Sequence, residues 1–363
     1  MKLQVTQEHL NQALLSVGRV ANARNTLPIL SNVLIKTINN RLSLSATNLD
    51  IAIVHYIGAK IDEDGAITVP ARLMQEFVGS LPNGVIELDL NQTKLKVTTN
   101  QYNSVINGIV ADDFPVMPSI NDGSKWTVAA SVLKKGLQQV VFAASSDETR
   151  QVLTGVYIHT KDDNLYLAAT DSYRLAEKNL GKNKEKVSIL VPASAMQDLL
   201  RIIGDFDGEV NVVHDGQQVL FQVGDIELTA RLVEGNYPDY QKLIPSDFTT
   251  LVKLKRSDFI NITKVSSLFA RESAGSVTID VNEKTATLSI RSIASQIGEN
   301  TATAEGGVKG SGSITLNSRY LLDSLQALNG EEIEFGFNGK LEPTTLRDPS
   351  DPSYKHIIMP LKS

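Results

Sequence analysis

Cysteine is absent from the 363 residues, which excludes a disulfide framework and a thiolate metal site alike. No stretch of about 18 consecutive apolar residues occurs, so no membrane-spanning helix is expected. The opening MKLQVTQEHLNQALLSV carries charge inside its would-be apolar stretch and has no small-residue cleavage site, so no signal peptide is read and a cytoplasmic location is expected. An excess of basic residues is also missing. Lys plus Arg number 35 against 41 Asp plus Glu, a net charge of −6 that at face value argues against a nucleic-acid binder. That average says nothing about where the charge sits, and steering depends on distribution. What remains is ordinary for a soluble globular chain, with 42% hydrophobic and 21% charged residues, 12 Pro and 24 Gly, and a length suited to two or three domains.

The chain is organised by repetition. Leu165 to Leu175, LYLAATDSYRL, is answered by LSLSATNLDI from Leu42 to Ile51, with Leu42 and Leu165, and likewise Thr47 and Thr170, 123 residues apart. A fainter copy, Leu288-Ser289-Ile290, lies 123 residues further on. A period longer than a solenoid unit and shorter than half the chain implies three similar tandem domains. Each third opens with an alternating strand running into an amphipathic helix, marked by Leu10, Leu14 and Val17, by Leu133, Leu137 and Val140, and by Phe259, Ile262 and Val265. Ser131 and Ser257 are read as N-caps of the second and third of these helices.

A second strand-into-helix unit follows in each third. ITVPARLMQ from Ile67 matches ILVPASAMQ from Ile189, and ITLNSRYL from Ile314 carries Asn317 where the others have proline. Short alternating strands are expected over 85–90, 94–98, 210–213, 219–223, 226–232 and 333–337, with turns at Asn39-Asn40, Pro82-Asn83-Gly84, Asp215-Gly216 and Asn338-Gly339. Linkers at Asn121 to Ser124 and Ser246-Asp247 place the domains at 1–123, 124–248 and 249–363. The fold class is α+β, with helices covering one face of antiparallel sheets.

Charge is unevenly divided. The six expected helices (6–19, 72–80, 131–144, 194–203, 256–268 and 318–328) hold eight basic residues, Arg19, Arg72, Lys134, Lys135, Arg201, Arg256, Lys264 and Arg319, against five acidic ones. They are therefore +3 in a chain whose remainder is −9. Basic helices on an acidic body can present a mildly positive face to phosphate, and solvated helix faces often carry Lys and Arg as well.

Taken together, Thr26 to Asn32, Thr68 to Arg72, Asp113-Phe114-Pro115, Ala169 to Leu175, Tyr237 to Tyr240 and Ile358 to Leu361 resemble the bacterial DNA polymerase III beta-subunit family, the DNA sliding clamps. The match runs in order along the whole chain. The resemblance implies three clamp-type domains per chain, helices lining one face and antiparallel sheets in the outer layer. It implies a homodimeric ring around double-stranded DNA without sequence specificity, no catalysis, no metal and no cofactor. Its implied partners are the replicative DNA polymerase, the clamp loader and other proteins carrying a clamp-binding peptide.

By the same resemblance, that peptide enters a cleft between the second and third domains lined by Leu153, Thr170, Ser172, Tyr173, Arg174, Leu175, Pro238, Lys242, Leu243, Asn317, Tyr320, Leu341, Pro343, Leu346, Ile357, Met359, Pro360 and Leu361. Such a mostly apolar set suits a peptide-anchor pocket, and a flexible thioether makes Met359 an adaptable lid. The bland alternative is that Leu153, Leu175, Leu243 and Leu346 are core. Many family members have Gly-His where Ser172-Tyr173 stands here. DNA contacts are expected from Arg24 and Arg72, and from Lys134, Lys135, Arg201 and Lys264 on the presumed lining helices. Ile106 of one chain and Leu268 of the other are the expected anchors of the subunit contact.

A catalytic reading competes. Asp112-Asp113, Asp162-Asp163 and Asp171 supply carboxylates, and His9, His55, His159, His214 and His356 are candidate bases or metal ligands. No HExxH, P-loop or GxSxG motif accompanies them, and paired Asp before turns is expected for local backbone bonding. A β-rich surface adhesin fits the repeats but lacks the export signal.

Overall fold

Six helices carry the 3.6-residue periodicity read from the sequence: α1 (Gln7–Ala21), α2 (Ala71–Ser80), α3 (Ala130–Val140), α4 (Ala193–Ile203), α5 (Arg256–Phe269) and α6 (Ser318–Ala327). A computed structural model describes residues 1–21, 27–120, 122–294 and 298–362. The leading helix of each third is entered directly from a strand, and its first amide is met by a backbone carbonyl rather than by a side chain. Gln7 N donates to Gly84 O, Ala130 N to Gly208 O and Arg256 N to Glu331 O, each at 2.8 Å. This repeated backbone cap overturns the expectation for Ser131 and Ser257. The helices begin one residue earlier, at Ala130 and Arg256, so both serines fall inside the first turn. Asn317 does cap its helix, accepting from the amides of Arg319 and Tyr320. At the matching place before α2, Pro70 contributes no side-chain cap.

The chain divides into two compact units, one of Met1–Ser131 with Asp198–Leu232 and the other of Val132–Gln197 with Val233 onward. The first holds a five-stranded sheet in the order 60–63, 2–6, 85–91, 94–98, 103–107. It also holds an eight-stranded sheet in the order 124–129, 209–214, 218–223, 226–231, 51–57, 41–47, 32–38, 66–70. In the second unit a nine-stranded sheet runs 188–192, 155–161, 164–170, 174–182, 354–358, 344–347, 332–337, 250–255, 307–309. A four-stranded sheet runs 298–305, 287–294, 276–282, 312–317. The paired strands are antiparallel, giving an α+β fold.

Strands from different sequence thirds are neighbours in both large sheets. Ala230 pairs with Ile51 in one, and Ile358 pairs with Arg174 in the other. The expected turns close the hairpins: Asn39 and Asn40 have φ of 49° and 59°, and Asp162 and Asp163 have 48° and 56°. These are the left-handed values that Asn and Asp tolerate best after glycine. Leu10, Leu14 and Val17 on α1 are fully buried, a stripe contributing about 1.5–3 kcal/mol per side chain. Gln7 pins α1 to α2 through a 2.8 Å bond from Nε2 to Val78 O. In the second unit Arg256 performs the matching task, donating from Nε to Gly330 O at 3.1 Å beyond the end of α6.

Candidate functional site

The loop between strands Asn164–Thr170 and Arg174–Lys182 is shaped by its own side chains. Thr170 Oγ1 donates to Arg174 O at 2.6 Å and accepts from Ser172 N at 3.1 Å. Asp171 Oδ1 accepts from the amides of Tyr173 and Arg174, both at 2.9 Å. These bonds hold Ser172 at φ 78°, a conformation in which glycine carries no steric penalty. Arg150 donates to the Ser172 hydroxyl and adds a further tie.

Arg174 is an internal strut. Its side chain is only 10% exposed and makes three charge-assisted bonds: Nε to Asp171 at 3.0 Å, Nη1 to Asp323 on α6 at 2.6 Å, and Nη2 to Phe142 O at 2.8 Å. The guanidinium also lies 4.6 Å from the ring centroid of Tyr320 and 5.3 Å from that of Phe142. With these bonds made the Arg174 guanidinium has little left for a ligand and acts as a support of the loop, while the half-buried Tyr320 ring keeps the rest of its surface free.

The C-terminal segment is laid against this loop by backbone bonds. Strand Tyr354–Ile358 pairs with Arg174–Lys182; beyond it Met359 N donates to Tyr173 O at 2.8 Å and Leu361 N to Thr315 O at 2.9 Å. Met359, Pro360 and Leu361 are half-buried, and Tyr173 is 59% exposed beside them. On the neighbouring strand Thr344 pairs with Ile358, which brings the turn holding the 66% exposed Leu341 and half-buried Pro343 to the same end. The short helical turn Tyr240–Leu243 is rooted by Tyr240, packed with Ala168, Leu175 and Ile357 and bonded through its hydroxyl to His159 Nε2 at 2.8 Å. It carries Leu243, 51% exposed, while Lys242 pairs with Asp239 at 2.7 Å and Pro238 is exposed.

Other expected lining residues sit underneath. Leu153, Leu175, Leu346 and Ile357 are 0–4% exposed and belong to the core beneath this surface. The bland reading therefore holds for three of the four leucines and fails for Leu243. Asn317 spends its side-chain oxygen on the α6 cap. Arg150, Phe142, Thr315 and Asp323 went unnoticed in the sequence. The i, i+3 spacing of Asp171 and Arg174 was a visible signal for one pair, whereas the others meet only through tertiary contact.

The basic residues proposed for DNA are mostly engaged. Arg72 is 81% exposed and bonds Glu76 one turn on at 2.9 Å. Lys135 pairs with Asp351 at 2.7 Å and Arg201 with Asp198 at 2.9 Å. Lys264 is exposed on α5, Lys134 is half-buried on α3, and Arg24 lies outside the described residues. Ile106, 6% exposed, faces its own core; its strand turns Val105 outward at 57%, since successive side chains alternate faces. Ile106 is thus corrected to a core residue, while Leu268 is 51% exposed at the end of α5.

Most of the catalytic candidates resolve into structural roles. Asp162 and Asp163 form a hairpin turn, Asp112 and Asp113 a short helical turn, and Asp171 holds the loop described above. Burial lowers the pKa of His55 and His159 to about 4 and of His356 to about 3, keeping all three neutral in the fold. Among the described residues no group of three or more His, Cys, Asp or Glu is arranged to hold a metal ion.

Comparison with known proteins agrees with this architecture. Family models described as the DNA polymerase III beta subunit, N-terminal, central and C-terminal domains match residues 1–118, 127–239 and 241–362. The beta sliding clamp of Synechococcus elongatus is 32% identical over 374 residues, covering 100% of this chain and 99% of the relative. A crystal structure of the DNA polymerase sliding clamp from Bacillus subtilis superposes with a TM-score of 0.94 at 28% identity, covering 100% of this chain and 99% of that one. A sliding clamp from Pseudomonas aeruginosa bound to griselimycin superposes with a TM-score of 0.95 at 25% identity, covering 100% of both. Three tandem domains of the DNA-clamp type, in this order and over this length, leave one conclusion: the chain belongs to the DNA polymerase III beta-subunit family, the beta sliding clamps.

Proposed function

We propose that two copies of the chain close head to tail into a ring around double-stranded DNA, and that the replicative polymerase and the clamp loader dock on it through short peptides seated against the C-terminal segment. As a beta sliding clamp the chain is a non-catalytic processivity factor of DNA replication. The ring works in the cytoplasm, with its domains divided near residues 123 and 248. Topological closure holds the cargo, so phosphate contacts stay weak and the ring slides; tethering then raises the polymerase's effective concentration at the primer end. The internal pairing of Lys135, Arg201 and Arg72 fits such weak contact.

The observation that carries the peptide site is the C-terminal strap. Two backbone bonds fix Met359 and Leu361 while Tyr173, Leu243 and Leu341 stay exposed. Exposed apolar side chains on a backbone-fixed frame are what a short peptide's anchors bury. For ring closure the support lies in the outer strands Asn103–Asn107 and Gly298–Glu305. Each ends its sheet with one edge unpaired among the described residues, and such an edge is ready to continue into a second copy. Met359→Ala with Leu361→Ala is expected to abolish binding of a polymerase peptide and leave the dimer intact. Loading onto circular DNA followed by linearisation separates topological retention from groove binding. Retention after linearisation overturns the ring, and unchanged peptide binding overturns the strap.

A further inference from the structure

The loop that supports the strap has a counterpart in the first compact unit, built by the same bonds. Thr47 Oγ1 donates to Ile51 O at 3.0 Å and accepts from Leu49 N at 3.0 Å. Asn48 Oδ1 accepts from the amides of Asp50 at 3.1 Å and Ile51 at 2.8 Å. Leu49 has φ 80°, matching Ser172 at 78°. The strand paired with each loop's outgoing strand also ends alike, with Arg231 N donating to Asp50 O at 2.9 Å where Met359 N donates to Tyr173 O at 2.8 Å. Arg231 and Met359 therefore occupy equivalent places, as do Asp50 and Tyr173.

Beside this first loop lies a cavity of about 550 Å³, walled by Leu49, Val116, Met117, Gln218, Thr229 and Arg231 among others. Its size falls within the range of ligand pockets. Leu49 is 52% and Val116 97% exposed, the latter on a segment without regular structure, so an apolar group entering here buries surface that the fold leaves in water. The amide oxygen of Gln218 on the wall is buried without a donor. Arg231 stands 3.9 Å from Asp50 with both side chains about 70% exposed, a separation at which the guanidinium keeps its donors for another acceptor.

We propose that this cavity is a second peptide-binding site, taking a short extended peptide whose apolar side chain sits against Leu49 and Val116 and whose adjacent carboxylate accepts from Arg231. The reading rests on the peptide role given above to the C-terminal strap. The charged mouth made by Asp50 and Arg231, where the strap offers Tyr173 and Met359, makes the two sites prefer different peptides. A carboxylate is required at the first and dispensable at the second.

Methionine separates the two sites in one experiment, because Met117 lines the cavity and Met359 the strap. The full chain labelled at its methionine methyls is titrated with an acetylated pentapeptide amide carrying an aspartate between two leucines. A parallel titration uses the same peptide with asparagine. The Met117 methyl is expected to shift and saturate, with about tenfold weaker binding for the asparagine peptide or in Arg231→Gln. Leu361→Ala should remove the Met359 response and leave that of Met117. A Met359 response with Met117 silent overturns the second site and spares the strap. Equal affinity of both peptides at Met117 overturns the assigned chemistry. Silence at both methyls overturns both readings.

Discussion

Removing Arg174 tests whether it supports the proposed peptide site or would contact a peptide there. Arg174→Ala deletes three charge-assisted bonds and a cation held between two rings. Deleting one partner of a buried ionic network typically costs about 3–5 kcal/mol, because the remaining charge stays buried. Here the lower end applies. Asp323 is 32% exposed and rehydrates, while Asp171 keeps its two backbone amide donors. A loss of about 3 kcal/mol in a compact unit of this size corresponds to a fall of roughly 6–12 °C in melting temperature. Calorimetry with Arg319→Ala as an exposed control on α6 measures it, the control staying within about 0.5 kcal/mol of the parent. Arg174→Lys should recover less than half, since one ammonium cannot reach three acceptors in the fork geometry. A variant that melts like the parent yet binds a polymerase peptide tenfold more weakly would refute the strut and return Arg174 to the lining.

Stability should fall as pH drops from about 6.5 towards 4: the buried His55, His159 and His356 have folded pKa values below the unfolded one, so unfolding takes up protons. Urea midpoints at pH 7 and pH 5 measure the slope, on the order of 1.4 kcal/mol per pH unit per group at most. His356→Phe, which preserves the stack on Phe142, should reduce it by one group's share; an unaltered slope rejects the assignment. Leu268→Asp is expected to shift the sedimenting species from near twice 39.5 kDa towards the single chain at micromolar concentration, and a persistent dimer removes Leu268 from the contact. Asn48→Ala withdraws one acceptor from two amides and should cost about 1–2 kcal/mol by chemical denaturation. No measurable cost would mean the first loop is held by something else.

The helices were legible because buried positions recur with the helical period: 256–268 and 318–328 became Arg256–Phe269 and Ser318–Ala327. The expected 131–144 ends earlier, at Val140, where a tighter turn over Val141–Ala143 takes over. Side-chain alternation specifies which face of a strand is buried and leaves its neighbour open. The pairings of Ile51 with Ala230 and Arg174 with Ile358, which join different thirds of the chain, were therefore not readable. The same limit explains Ile106, because alternation says that it and Val105 face apart without saying which way the core lies. Charge was legible as composition but not as field, since Lys135 finds its partner in Asp351, far away in sequence.

Side-chain identity and backbone geometry have separated within the repeat. The two loops share only Thr at the first position and an Asn or Asp at the second, yet four bonds from those two residues reproduce the same turn. That turn forces a positive φ on Leu49 and Ser172, at about 1–2 kcal/mol for a residue with a Cβ. Strain of this kind persists only where its surroundings over-determine the conformation. The bonded Thr and Asx pair does so in both places, which frees the exposed positions to diverge. One copy carries Arg174, whose guanidinium locks its loop to α6 and leaves an apolar mouth at Tyr173 and Met359. The other has the buried Ile51 at that position and a charged mouth at Asp50 and Arg231. Duplication thus supplied the shelf twice, and the chemistry at each is set by the residues that the shelf does not need.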